Sequence, residues 1–480
     1  MLLRLVFFIF GILWIIRKYK NYFRSILLAF RLPGPPALPM LGNVLFFKDS
    51  KAILEEINNN SKRNSPLARI WIFWMPYVWI YEPKHLKIIL SNSKTSEKNS
   101  LYRYMQLFFG DGLVTSTGTR WSKHRKLIQP YFKTNILEGY FDYFVEASEQ
   151  MLRCLSSQRY LQITKTVNTC VGNILHSTIL GVNLKKDSDT PFGRSELQIL
   201  NKILKPWLLW DTIFKRSETS KYELEHFKEH FRYVKKILSK RLSERNSQNN
   251  TNTCLLDRLI ELSETSDFSE QDILNETVTF MTTGQDTVSA ALVFCLYHLA
   301  KQQDIQEKLY KEIKEVIPED LKSVTVGQVN RMHYLEQCIK ETLRLVPVVP
   351  VFFRELSTDV TLGNYTIPSG TNILISPFMT HRLPHNFSDP LRFDPERFSK
   401  ENVKKIHPYG FIPFSMGPRT CIAYKFAYLE IKTITALLIK NYHIALQPGR
   451  EDLSINFRAV LGAKGGVWLD IQPRKIISTN

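Results

Sequence analysis

The sequence predicts a mainly α protein with a small β subdomain, built as one large domain behind an N-terminal membrane anchor. Three observations predict this. Segments 136–155, 222–245, 270–301, 303–316, 328–345 and 421–440 repeat apolar residues at spacings of three and four, as amphipathic helices do. Only three pieces, 68–81, 351–375 and 455–472, are β-branched or aromatic and bounded by Gly or Pro, as strands are. No internal repeat and no second composition regime divides the 480 residues. The 44% hydrophobic and 23% charged content is ordinary globular usage, which excludes a disordered, collagenous or coiled-coil chain.

Residues 1–30 read as the anchor. An apolar run over 5–16 follows Arg4 and is closed by Arg17-Lys18-Tyr19-Lys20, with no small-residue cleavage site after it. The run is shorter than the ~20 residues a span needs, so the helix is expected to recruit Leu2, Leu3 and the segment 22–30. A buried core helix and an Arg-rich mitochondrial leader are the other readings. The unbroken apolar stretch argues against the leader. Residues 31–49 form the entry segment. Within it, Leu32-Pro33-Gly34-Pro35-Pro36 reads as a stiff hinge or an ordinary Pro-rich turn, since proline fixes φ and biases each preceding residue toward extended geometry. Residues 50–480 form the main domain. Inside it, Ser269 is a plausible cap with Asp272 three residues on, and 246–253 is a polar loop between helices.

Lys+Arg 64 against Asp+Glu 45 gives a formal charge of +19, which suggests an acidic partner: nucleic acid, an anionic membrane face or an acidic protein. No nucleic-acid motif accompanies it. The six cysteines form no CxxC pair and no Cys/His cluster at zinc spacing, so a disulfide framework and a structural zinc site are not expected.

Five segments carry chemistry. Phe414-Ser415-Met416-Gly417-Pro418-Arg419-Thr420-Cys421 is a tight loop delivering a cysteine to a helix start, where the backbone dipole and Arg419 favour a thiolate. A lone cysteine is ordinarily a small buried hydrophobe; loop, arginine and helix start together point instead to an iron ligand. Glu341 and Arg344 stand three apart on a helix face. Arg397, in Pro395-Glu396-Arg397-Phe398, can bring a second guanidinium to Glu341. Thr282-Thr283-Gly284-Gln285-Asp286-Thr287 places a glycine, an acid and a hydroxyl in the middle of an apolar helix, where Gly costs about 1 kcal/mol and the Thr287 hydroxyl can bond back and bend the axis. Trp121 and Arg125, four apart, suit an anionic carboxylate.

In this order and at these separations the segments resemble the cytochrome P-450 superfamily of haem-thiolate monooxygenases, from the anchor to about residue 472. Tyr334-Leu335-Glu336, 340–346 and 414–430 look most like the microsomal group containing fatty-acid ω-hydroxylases and insect enzymes. The resemblance implies a cytochrome P-450 fold with haem b held non-covalently on Cys421 as thiolate ligand, within a cofactor site of Phe414, Gly417 and Gly284. It implies propionate contacts from Trp121, Arg125, Arg354 and Arg419, and a structural network of Glu341, Arg344 and Arg397. Asp286 and Thr287 are the implied proton relay for dioxygen cleavage. It further implies electrons from NADPH through NADPH-cytochrome P-450 reductase, with cytochrome b5 as a second donor. The reductase would dock on Lys123, Lys126, Lys404, Lys405 and Lys425. The implied product is an oxygenated lipid, steroid or xenobiotic, made at the endoplasmic reticulum membrane with the domain facing the cytosol.

Two positions depart from the pattern. Ala423 replaces a usual glycine, tolerable if φ is helical. Thr283 replaces a glutamate that in ω-hydroxylases esterifies the haem, and Asp286 is expected to point away from that position. Walls are expected from 98–118, 200–216, 349–353 and 458–463. Two other functions fit parts of the pattern: a haem-thiolate isomerase or dehydratase acting on hydroperoxides, and a membrane-tethered haem sensor. The Asp286-Thr287 pair argues against both.

Overall fold

In the computed structural model the described residues are 17–43, 55, 66–92, 97–156, 159–184, 190–192, 205–209, 211–245, 254–318, 324–457 and 460–474. The apolar run 5–16 and the polar loop 246–253 lie outside them. Along the chain come helix α1 (Lys20–Arg31), strands β1 (Leu67–Ile72) and β2 (Met75–Ile80), and helices α2 (Pro83–Leu90), α3 (Gly118–Ile128) and α4 (Phe141–Leu155). Strand β3 (Tyr160–Gln162) leads into α5 (Ile163–Leu175), α6 (Glu218–Arg245), α7 (Leu255–Thr265), α8 (Glu270–Lys301), α9 (Gln303–Val316) and α10 (His333–Leu345). Four strands follow: β4 (Phe352–Glu355), β5 (Val360–Leu362), β6 (Tyr365–Ile367) and β7 (Asn372–Ile375). Helix α11 (Tyr424–Asn441) and strands β8 (Tyr442–Leu446), β9 (Ile455–Phe457), β10 (Leu461–Ala463) and β11 (Trp468–Pro473) complete the order.

Helix α8 is the axis of the domain. Ser269 caps it: its hydroxyl accepts from the Asp272 N–H at 3.2 Å, and its own N–H donates to the Asp272 carboxylate at 2.9 Å. Apolar side chains point in on several faces, so α8 is buried by α5, α11 and their neighbours along most of its length. The main sheet lies beside the bundle in the order β1-β2-β7-β4, with β2 and β7 parallel and the other pairs antiparallel. The predicted strand 68–81 is in fact a hairpin. Its turn puts Phe73 at φ 55°, where the buried ring offsets left-handed strain.

The predicted helix 136–155 is split at Gly139 and Tyr140, and 328–345 breaks at Met332, whose ψ of 88° ends one helix before α10 begins. Apolar spacing carries across both breaks because flanking turns share one buried face.

At the N-terminus the expected anchor lies partly outside the described residues, and its segment 22–30 lies within them. Segment 22–30 forms part of α1, which packs on the sheet. Ser25 hydrogen-bonds Thr371 at 2.7 Å in a buried contact, Arg24 pairs with Asp359 at 2.7 Å, and Leu28 and Ala29 are buried. Among the described residues no helix is long and apolar enough to cross a membrane. The Pro-rich segment is stitched to β1 and does not act as a free hinge. Prolines withhold donors but keep their carbonyls, and Arg69 donates to two of them, from its N–H to Pro33 at 2.7 Å and from its guanidinium to Pro35 at 3.1 Å. The described fold therefore includes α1 and the Pro-rich segment that follows it.

Candidate active site

The cysteine loop is held by its backbone. Gly417 has φ +74°, and a Cβ there would stand 1.8 Å from the Leu90 carbonyl oxygen, so only glycine fits. The Cys421 N–H donates to the Phe414 carbonyl at 2.9 Å. Helix α11 starts three residues later, at Tyr424. Ala423 has φ −95°, so its methyl is accommodated where glycine was expected.

Burial pushes the Cys421 thiol up, opposed by the Ala423 N–H and by Arg125. The cation acting on the sulfur is thus Arg125, not Arg419. In this dry setting a thiolate needs the added positive charge of a bound metal.

Cys421 opens into a cavity of about 420 Å³. Opposite it, α8 contributes Phe280, Thr283, Gly284, Asp286, Thr287 and Ala291. Thr283 and Thr287 each donate a hydroxyl hydrogen bond one turn back, to Thr279 at 2.6 Å and Thr283 at 2.8 Å. A Cβ at Gly284 would meet Leu175 at 3.1 Å, so the glycine lets α5 approach closely. Asp286 and Thr283 line the same cavity, which corrects the expectation that Asp286 points elsewhere; a three-residue step turns roughly 300°, leaving neighbouring faces.

One edge of the cavity is cationic. Arg354 is buried, donates to the Phe353 carbonyl at 2.7 Å and leaves its Nε without a partner. Arg419 donates to the Ser116 carbonyl at 3.0 Å and to Glu97 at 2.9 Å, and sits 3.6 Å over the Trp121 ring. Burial lowers its pKa to about 10. A planar dianion such as haem, with carboxylates at one edge and an iron to charge the thiol, fits these groups: Arg354 gains an acceptor and Cys421 a cation.

Of the expected site residues, Gly284, Asp286, Thr287, Arg354, Phe414, Arg419 and Cys421 line the cavity. Gly417, Trp121 and Arg125 stand behind the wall. Trp121 supports Arg419, while Arg125 donates to the Thr420 carbonyl at 2.9 Å. No described residue of 200–216 lines the cavity; Ile70, Ile72 and Trp79 of the hairpin do. Lys98 and Tyr102 line it from within the expected wall 98–118, although no motif marks them individually.

Glu341, Arg344 and Arg397 form a separate buried network. Arg344 binds both Glu341 oxygens, at 2.6 and 2.7 Å, and donates to the carbonyls of His381, Pro390 and Arg392. Arg397 stands 3.3 Å from Glu341.

Comparison with known proteins agrees with this geometry. The family model described as Cytochrome P450 matches residues 32–469. The chain is 39% identical over 468 residues to the probable cytochrome P450 4aa1 of Drosophila melanogaster, covering 95% of this chain and 92% of that one. It is 32% identical to cytochrome P450 4V2 of Mus musculus (91% and 89% covered) and 33% identical to cytochrome P450 4d2 of Drosophila melanogaster (92% and 94% covered). A cysteine loop below a distal acid and hydroxyl, on a chain matched from Leu32 to Leu469, identifies a member of the cytochrome P450 family of haem-thiolate monooxygenases.

Proposed function

We propose that the enzyme inserts one oxygen atom from dioxygen into an apolar lipid, steroid or xenobiotic, using NADPH electrons delivered by a reductase. The observation carrying this is the union, in one cavity, of the Cys421 thiol, the Asp286-Thr287 pair, a cationic edge and a wall that is apolar over most of its area. Cys421 holds the haem iron and Arg354 and Arg419 its carboxylates; bound haem supplies dioxygen activation. Thr287 keeps its hydroxyl at the cavity by bonding back to Thr283, ready to pass on a proton that Asp286 brings from outside. Leu101, Met105, Phe109, Val114, Phe280 and Val460 exclude water and orient substrate by shape, since they offer it no hydrogen bond.

Lys126, Lys404, Lys405 and Lys425 are exposed, and Lys425 lies one turn after the cysteine, so an acidic flavoprotein is steered to that face. Lys123 is paired with Asp267 at 2.7 Å and contributes less. Residues 1–16 supply the attachment to the endoplasmic reticulum membrane. Membranes from cells expressing the full chain, given NADPH and reductase, should oxygenate an apolar substrate. Activity confined to the soluble fraction would refute the placement, and NADPH-independent turnover the reaction.

Thr287→Ala should keep haem yet divert electrons to peroxide, lowering product per NADPH by roughly 10²-fold or more, the usual worth of a positioned proton donor. Unchanged coupling would remove Thr287 from the relay.

The haem should be held without an ester. Thr283 has no carboxylate, and its hydroxyl is committed to the Thr279 carbonyl. Acidified organic solvent should therefore extract all haem after turnover. A persistent polypeptide-plus-haem mass would overturn this, and peptide mapping would then trace the ester to Asp286, the carboxylate facing the same cavity.

A further inference from the structure

Among the described residues, two buried side chains that line the cavity carry an N–H without a partner: Arg354 at its Nε and Trp79 at its indole Nε1. Haem carboxylates answer the first. Trp79 stands elsewhere on the wall, on β2, and two strand spacings of about 5 Å each separate that strand from β4, which carries Arg354. An anion held at the cationic edge leaves the indole unpaired.

The register shows why the wall itself supplies no acceptor side chain. Trp79 is abreast of Ala68 on β1 and Leu374 on β7, with Phe353 beyond on β4, and strand alternation puts Ile70 and Ile72 on the same face. All of these are apolar. A phenylalanine would fill such a site with no polar atom to bury, whereas a buried tryptophan usually finds a partner for its N–H. Leaving that proton unpaired forfeits its hydration with nothing gained. An acceptor entering the cavity recovers the loss.

We infer that the Trp79 indole is a substrate-binding donor, and that the substrate is an apolar molecule bearing an uncharged oxygen acceptor, an ester or ketone carbonyl, where it lies against the sheet. This rests on the monooxygenase reading above and names the substrate class within it. The acceptor is uncharged because Ile70, Ile72, Leu374 and Phe353 bring no cation to this part of the wall, and a carboxylate set among them on one neutral donor stays poorly compensated. A plain hydrocarbon would leave the N–H unpaired.

The test uses the haem-loaded full chain, its Trp79→Phe variant and two probes of equal size, methyl dodecanoate and pentadecane, titrated by the spectral shifts they induce. The variant should bind the ester roughly fivefold more weakly, the ratio that one neutral hydrogen bond is worth, and pentadecane as wild type does. Infrared difference spectra of the bound, isotope-labelled ester should show its carbonyl stretch moved up in the variant, which loss of a merely structural tryptophan would not cause. Equal losses for both probes, an unchanged ester affinity, an unmoved stretch or a wild type that gives no response to the ester overturns the inference. So does a loss larger for dodecanoic acid than for its ester, since the acceptor would then be an anion. If Trp79→Phe does not accumulate, benzothienylalanine at position 79, which exchanges only the N–H for sulfur, is read in the same way. A wild-type chain without the red-shifted ferrous carbonyl band would sink the parent reading instead.

Discussion

Cys421→Ala abolishes the red-shifted thiolate Soret band of the reduced, carbon-monoxide-treated protein. No other cysteine can replace it. Cys170, Cys254, Cys295 and Cys338 are buried away from the cavity, and Cys154 is exposed. Burial pushes Cys254 and Cys295 up to about 12; at Cys254 the Asp257 N–H and Arg241 act against it but the Asp257 carboxylate adds to it, and neither sulfur lines the cavity. The iron, if retained at all, would then be held by a neutral ligand or water, and its carbonyl spectrum would lose the thiolate signature. The loss is all-or-none, which makes it the sharpest reading of the site. A variant with the wild-type band would show that sulfur from elsewhere reaches the iron and would sink the assignment.

Sequence legibility follows locality. Helix α8 is readable almost to the residue because Ser269 and Asp272 announce its start and its interior is apolar. The cysteine loop is readable because Gly417 and Pro418 admit few backbone paths. Segment 22–30 is ambiguous in sequence because an amphipathic helix facing a sheet and a short one facing lipid share a pattern; Ser25 on Thr371 and Arg24 on Asp359, more than 300 positions away, tie it to the sheet. Lys98 falls within the expected wall 98–118, but its place beside Arg354 and Arg419 comes from the fold. Trp121 and Arg125 are legible as a pair, but their side chains back the wall and do not form it, a distinction that helix spacing does not contain.

Glu341→Gln is expected to be strongly destabilising although it exchanges only an oxygen for an amide nitrogen. Glu341 and Arg344 are both fully buried, and breaking such a pair costs about 3–5 kcal/mol because it strands a charge. That is a large fraction of the roughly 5–15 kcal/mol by which folded domains exceed their unfolded chains. Glutamine keeps the shape and one acceptor but faces two guanidiniums with no charge.

The damage should spread along a definite route. Arg344 also holds the carbonyls of His381, Pro390 and Arg392, in a stretch with only one short turn of helix, so the network stands in for secondary structure there. The His381 ring in turn accepts the Ile412 N–H at 2.8 Å, two residues before Phe414, whose carbonyl takes the Cys421 N–H. Loosening Glu341 should therefore loosen the thiolate loop. In urea, the Soret change should move to lower denaturant and precede loss of helix by circular dichroism. Lys240→Ala, at an exposed pair with Glu244, should leave both transitions where they are. A Glu341→Gln protein that unfolds like wild type would mean that this carboxylate is neutral and idle in the core. Arg344 would then have to hold 381–397 through backbone carbonyls alone, with its charge balanced elsewhere.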